Sequence, residues 1–99
     1  MENYREQILQ KLADNLQAVH DRFGVDSLSV FGSAARGSLT PDSDVDILVR
    51  YREAPGIFAF LDLKQYLEEI VGRPVDLVTE GALKKQLRSR ILQEAIRVA

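Results

Sequence analysis

Ten residues after a Gly32-Ser33 pair, the chain runs Asp44-Val45-Asp46-Ile47-Leu48-Val49, two carboxylates set into an otherwise apolar stretch. Side chains alternate faces along a strand, so Val45, Ile47 and Val49 turn toward a core while Asp44 and Asp46 share the opposite face. Such a segment fits only a sheet that is covered on one side and carries its anions on the other. Like charges side by side destabilise a strand unless a cation sits between them. Mg²⁺ suits that role, because it takes one or two carboxylates together with substrate phosphates. Paired metal ions lie roughly 3.5–4 Å apart, and carboxylates about 7 Å apart along a strand can converge on them.

Elsewhere, Ile8, Leu12, Leu16, Val19 and Phe23 recur at helical spacing and predict one amphipathic helix from Glu2 to Phe23, ended by Gly24. Ser27-Leu28-Ser29-Val30-Phe31 alternates polar and apolar, which predicts a short strand leading into Gly32-Ser33. Thr40-Pro41-Asp42-Ser43 has turn composition, so a second strand from Asp44 to about Tyr51 returns in hairpin fashion. After Ala54-Pro55-Gly56, the stripe Ile57, Phe60, Leu61, Leu67, Ile70 and Val71 predicts a second helix that stops at Gly72. Arg73-Pro74 forces extended backbone into a third strand, Val75-Asp76-Leu77-Val78-Thr79. From about Ala82 onward, Leu83, Leu87, Ile91, Leu92 and Ile96 (or Ala95) predict a final helix.

Ninety-nine residues suffice for a single domain, 1–99, and leave no room for a separate substrate domain. Hydrophobic residues at 45% and charged residues at 28% are ordinary for a soluble globular chain. The net charge of −2 gives no electrostatic reason for binding bulk nucleic acid, so no direct nucleic-acid partner is expected. With no cysteine, disulfides, thiolate metal sites and cysteine nucleophiles are excluded. No segment has the apolar length of a membrane span, and Met1-Glu2-Asn3-Tyr4-Arg5-Glu6 lacks a signal-peptide pattern, so a cytoplasmic location is the expectation.

Asp76 is the one charge of the third strand, and an ionised carboxylate there must be paired, hydrogen-bonded or metal-bound. Membership of the same site explains it best. Three carboxylates bring about −3 and a nucleoside triphosphate about −4, so two Mg²⁺ ions and the substrate each need the other's charge. Gly32 permits close backbone approach, Ser33 offers a hydroxyl and an amide N–H to a phosphate oxygen, and Ala34-Ala35-Arg36-Gly37 can turn further N–H groups toward the anion. The loop is neither a Walker loop nor a nucleophile elbow, which makes Ser33 a ligand rather than a nucleophile. These residues alone leave attack at the alpha and the gamma phosphorus equally open.

Plainer readings exist for each feature. The Gly-Ser and Asp-x-Asp unit could be a strand, a turn and a solvated edge, but the spacing together with Asp76 favours the site. Arg36 serves equally to contact phosphate or to brace the loop against a carboxylate. His20 reads as a surface histidine without a role. Lys84, Lys85, Arg88, Arg90 and Arg97 make the last helix basic, a pattern that is most often a solvated face and sometimes a guide for an acidic partner. Phe58 and Tyr66 lie off the main stripe of their helix, where they could face a partner, although long apolar stripes are more often core.

Val30-Phe31-Gly32-Ser33-Ala34-Ala35-Arg36-Gly37, followed by Ser43-Asp44-Val45-Asp46-Ile47-Leu48-Val49, resembles the signature of the polymerase-beta-like nucleotidyltransferases, in particular their minimal (MNT) branch. The small size, the strand bearing Asp76 and the ending Leu87-Arg88-Ser89-Arg90-Ile91-Leu92-Gln93-Glu94-Ala95 are similar to MNT antitoxins paired with HEPN-domain toxins. The resemblance implies an α+β (mixed α/β) fold, a small mixed sheet with helices packed on it. It implies that Asp44, Asp46 and Asp76 bind two divalent metals, and that Gly32, Ser33, Arg36 and Ser43 bind the nucleotide. It also implies transfer of AMP from ATP, with pyrophosphate leaving, to a tyrosine of a HEPN-type RNase toxin held in a hetero-oligomer. The competing expectation is an antitoxin that neutralises its partner by stoichiometric complex formation without catalysis. An antibiotic-modifying relative is disfavoured, since those usually carry an added helical domain.

Overall fold

The computed structural model describes residues 4–40 and 42–98. Its centre is an antiparallel pair, β1 (Val25–Phe31) and β2 (Val45–Tyr51), registered so that Val30 faces Ile47 and Phe31 faces Asp46. β3 (Val75–Thr79) pairs parallel to β2, and β4 (Ile96–Arg97) pairs antiparallel to β1. The sheet is therefore mixed, in the order β3-β2-β1-β4. β1 begins two residues earlier than its alternation predicts, because a register shift between Val25 and Ser27 lets Val25 join Leu28 and Val30 in the core.

The N-terminal stripe forms two helices, α1 (Tyr4–Asp14) and α2 (Leu16–Phe23), where the sequence predicts one; the predicted start at Glu2 lies outside the described residues. Asn15 makes the break. Its side-chain amide donates to the Lys11 carbonyl at 2.8 Å and its backbone N–H to Leu12 at 3.2 Å, the local competition that disfavours asparagine inside helices. Gly24, in the left-handed region, then ends α2 as expected.

Between β1 and β2 lies α3 (Gly32–Arg36), a five-residue helix where the sequence predicts a turn. α4 (Ile57–Val71) has the predicted bounds and Gly72 cap, but its buried face is Leu63, Leu67 and Val71. Ile57 and Leu61, assigned to the buried stripe by spacing, are exposed. Phe60 alone of the first-turn apolar residues packs against the core, so the buried face is set by Leu63, Leu67 and Val71 farther along.

Residues Glu80–Ala82 form a 3-10 turn, and α5 runs from Lys85 to Glu94, later than the predicted start near Ala82. Ile96 corrects the reading of the C-terminal segment: it pairs with Val30 in β4 and is not part of the helix. The free edge of β1 offers it backbone partners, continued by a bond from Val98 N–H to the Leu28 carbonyl at 2.9 Å.

Val45, Ile47 and Val49 are fully buried with Leu12, Val19, Leu28, Val30, Leu63 and Leu67. Each such side chain contributes about 1.5–3 kcal/mol by leaving water. One face of the sheet is thus packed under α1, α2 and α4, which fixes the even-numbered residues of β2 on the other face. Among the described residues, no helix is long and apolar enough to cross a membrane.

Candidate active site

The start of β2 lies beside the start of β3, and the parallel register places Asp46 directly opposite Asp76. Opposed residues of adjacent strands project to the same face, so two carboxylates from segments thirty residues apart in sequence meet there. The Asp46 side chain is half-buried and lies beside that of Asp76, which is exposed. Burial pushes the Asp46 carboxyl above its ordinary value, the negative charges of Asp76 and then Asp44 push it further, and Arg36 opposes them.

Asp44 lies one residue outside β2 rather than within it, exposed at the strand's start. Among the described residues, no three acidic or histidine side chains are already gathered tightly enough to enclose an ion. Asp46 and Asp76 form the nucleus, with Asp44 acting on it through its charge. The donor set is entirely carboxylate oxygen, the chemistry that suits Mg²⁺ or another hard divalent cation.

Gly32 closes the site from the β1 side. Its φ of +64° lies in the left-handed region, and a Cβ built there would collide with the Asp46 carboxylate. Both facts require glycine, one through conformation and the other through space. Ser33 follows in the first turn of α3, where backbone N–H groups have no partner within the helix. Ala34 and Ala35 are buried beneath the turn, and Arg5 of α1 donates to the Ala35 carbonyl at 3.3 Å, holding the loop from below.

Arg36 is exposed and ion-paired with Glu94 of α5 at 3.4 Å, an anchor at the edge of the site. Such a solvated pair contributes little to stability. Ser43 stands next to Asp44, but its hydroxyl is engaged by Thr40, 3.0 Å from the Thr40 N–H and 2.9 Å from the Thr40 hydroxyl. Sequence reasoning passed over Glu94 and over Arg73, whose guanidinium donates to the Thr40 carbonyl at 2.9 Å and the Ser43 carbonyl at 3.3 Å. The only signal for Arg73 was its place before Pro74, read as a strand lead-in. Of the residues off the motif, Tyr66 packs on Phe23 at 5.3 Å, whereas Phe58 is 79% exposed.

A profile of the nucleotidyltransferase domain matches residues 9–98, the span that contains Gly32, Ser33, Asp44, Asp46 and Asp76. The chain belongs to the nucleotidyltransferase family. Protein adenylyltransferase MntA of Thermococcus cleftensis is 41% identical over 93 residues, covering 94% of both chains. Among solved structures, a candidate minimal nucleotidyltransferase superposes with a TM-score of 0.76 at 37% identity, covering 89% of this chain and 93% of that one. An MNT antitoxin in complex with a tri-AMPylated Shewanella oneidensis HEPN toxin gives a TM-score of 0.66 at 18% identity, over 92% of this chain and 71% of that one, a likeness of fold. This nucleotidyltransferase is therefore an enzyme of the minimal branch, with the mixed α+β sheet expected of it.

Proposed function

We propose that this nucleotidyltransferase transfers AMP from ATP to a tyrosine of a HEPN-type RNase toxin, acting as the toxin's antitoxin. The observation that carries the reading is the in-register Asp46–Asp76 pair with Gly32 pressed against it. Two carboxylates held this closely need a cation to ionise together, and phosphate is the substrate group that shares such a cation. The relative named a protein adenylyltransferase, and the fold-level neighbour whose HEPN toxin is AMPylated, support a protein acceptor.

Asp46 and Asp76, joined by Asp44, would hold two Mg²⁺ ions. Bound divalent cations neutralise the departing pyrophosphate and acidify an acceptor hydroxyl. Ser33, through its hydroxyl and amide, and the first N–H groups of α3 hold the triphosphate, and Gly32 keeps the backbone close enough to do so. Arg36 adds positive charge to the phosphates, and Ser43 fixes the loop that carries Asp44. The tyrosine oxygen attacks the alpha phosphorus in line, the bond to the bridging oxygen breaks, and pyrophosphate leaves. Asp76 would take the phenolic proton, although a carboxylate tied to metal is a weak base.

Incubation of a cognate HEPN-domain protein with this chain, Mg²⁺ and alpha-labelled ATP tests the reading. Label should pass to the partner at substoichiometric enzyme, with an intact-mass gain of one or more AMP units, and Asp44→Asn should abolish it while the fold persists. Inhibition only at equimolar ratio, with no mass gain, would favour neutralisation by complex formation.

A further inference from the structure

Asp44 is the least anchored of the three carboxylates by its own side chain, yet both peptide groups that flank its α-carbon are tethered. The carbonyl of Ser43 belongs to the peptide before Asp44, and it accepts a hydrogen bond from Arg73 Nη1 at 3.3 Å. The N–H of Val45 belongs to the peptide after it, and it donates to the Pro74 carbonyl at 3.0 Å. Arg73 Nη1 also donates to the Thr40 carbonyl at 2.9 Å, at the other side of the turn that precedes Asp44. Its guanidinium carbon lies 5.3 Å from the centroid of the Tyr4 ring, which backs the arginine with α1.

Two consecutive residues, Arg73 and Pro74, therefore fix the backbone on both sides of Asp44, and two residues later the same segment delivers Asp76. We infer that Arg73 is a positioning residue: its guanidinium sets where Asp44 stands relative to Asp46 and Asp76, and so sets the affinity of the site for divalent metal. Arginine is suited to this work because its planar guanidinium fixes the directions of the two Nη1 N–H bonds, so that one nitrogen serves both carbonyls, whereas a lysine ammonium rotates freely about its stem. The backbone carbonyls gain a charged donor, and the loop loses freedom that metal binding would otherwise have to remove. The inference rests on the metal-site reading above.

The test is Mn²⁺ binding by the purified chain without nucleotide, followed by electron paramagnetic resonance of free Mn²⁺, for wild type, Arg73→Gln, Arg73→Lys and Asp46→Asn. Partners that orient metal ligands typically change affinity about 10–100-fold, so Arg73→Gln should raise the Mn²⁺ Kd at least about tenfold. Arg73→Lys should recover part of that loss, and Asp46→Asn should bind least. Tyr4→Leu, which removes the backing ring but neither carbonyl bond, should lower thermal stability with a much smaller change in Kd. Should Arg73→Gln prove folded by circular dichroism and bind Mn²⁺ like wild type, the positioning role is overturned. If it is unfolded, Arg73→Lys decides: a folded lysine variant with wild-type affinity overturns the role as well. Wild type that takes up no Mn²⁺ would instead overturn the metal-site reading, and the clamp with it.

Discussion

Along β2, neighbouring residues live under opposite rules. Val45, Ile47 and Val49 have no exposure and pack against helices, while Asp46, one step away on the other face, sits half-buried among like charges. The apolar face gains free energy on folding from every residue it covers. The acidic face loses some, since a carboxylate is drawn out of water beside two others. Stability and chemistry are thereby assigned to alternate positions at the start of one seven-residue strand, before Leu48 carries burial onto the acidic side as well. A one-residue slip in register would exchange them, which is why the antiparallel pairing with β1 and the parallel pairing with β3 both matter.

The sharpest way to break the contrast is Asp46→Asn. Adenylyl transfer should fall at least about a thousandfold, because transition-state charge stabilisation by a metal is worth several kcal/mol. Yet the melting temperature of the metal-free protein should rise, since the amide keeps the carboxylate's shape and can donate to Asp76. Labelled-ATP transfer and calorimetry in EDTA check both halves; a fall in both would show that Asp46 is needed for the fold itself.

Ile47→Ala is the mirror experiment. Removing a fully buried isoleucine should cost about 2–5 kcal/mol in urea unfolding. At temperatures where the variant stays folded, its Mn²⁺ affinity should stay near wild type, and a large loss would mean that the two faces are coupled.

Gly32→Ala lies between the two regions. Left-handed backbone costs a non-glycine residue roughly 1–2 kcal/mol, and the added methyl must also displace the Asp46 carboxylate. Stability and metal affinity should therefore fall together, a joint loss that neither face alone gives.

The smallest effect is in pH. Native Asp46 holds its proton to higher pH than the unfolded chain does, so its contribution favours folding at acid pH and is lost as pH rises through the elevated value. Without metal, the stability advantage of Asp46→Asn over wild type should grow across that rise, and saturating Mg²⁺ should shrink it. An advantage that stays constant with pH would remove the electrostatic explanation.

Much of this was readable in advance because it depends on local pattern. The bounds of α4 and β3, and the pairing of apolar with acidic positions in β2, follow from alternation, helical spacing and the glycine caps. What escaped depends on partners distant in sequence. Ile96 satisfies helical spacing, yet the open edge of β1 makes it a strand residue. Leu61 satisfies the stripe of α4, yet it stays about half exposed. Arg73 belongs to no motif, and its role appears only when the turn before Asp44 folds over it. The break at Asn15 also escaped, because the apolar stripe runs on across it without interruption.

The parallel register of β2 and β3 has one more consequence, for how the molecule assembles. Gly32, Asp46 and Asp76 come from three separated stretches of chain, and the helix α4 must form and cross before the second carboxylate meets the third. Contacts of this range are slow to close and worth nothing until closed. A fragment ending within α4 would keep the Gly-Ser loop and Asp-x-Asp but have no cation site of full strength. Under the proposed function, occupancy by metal would thus report on the folding of all three stretches, and ion concentrations above the dissociation constant would add to folding stability by mass action.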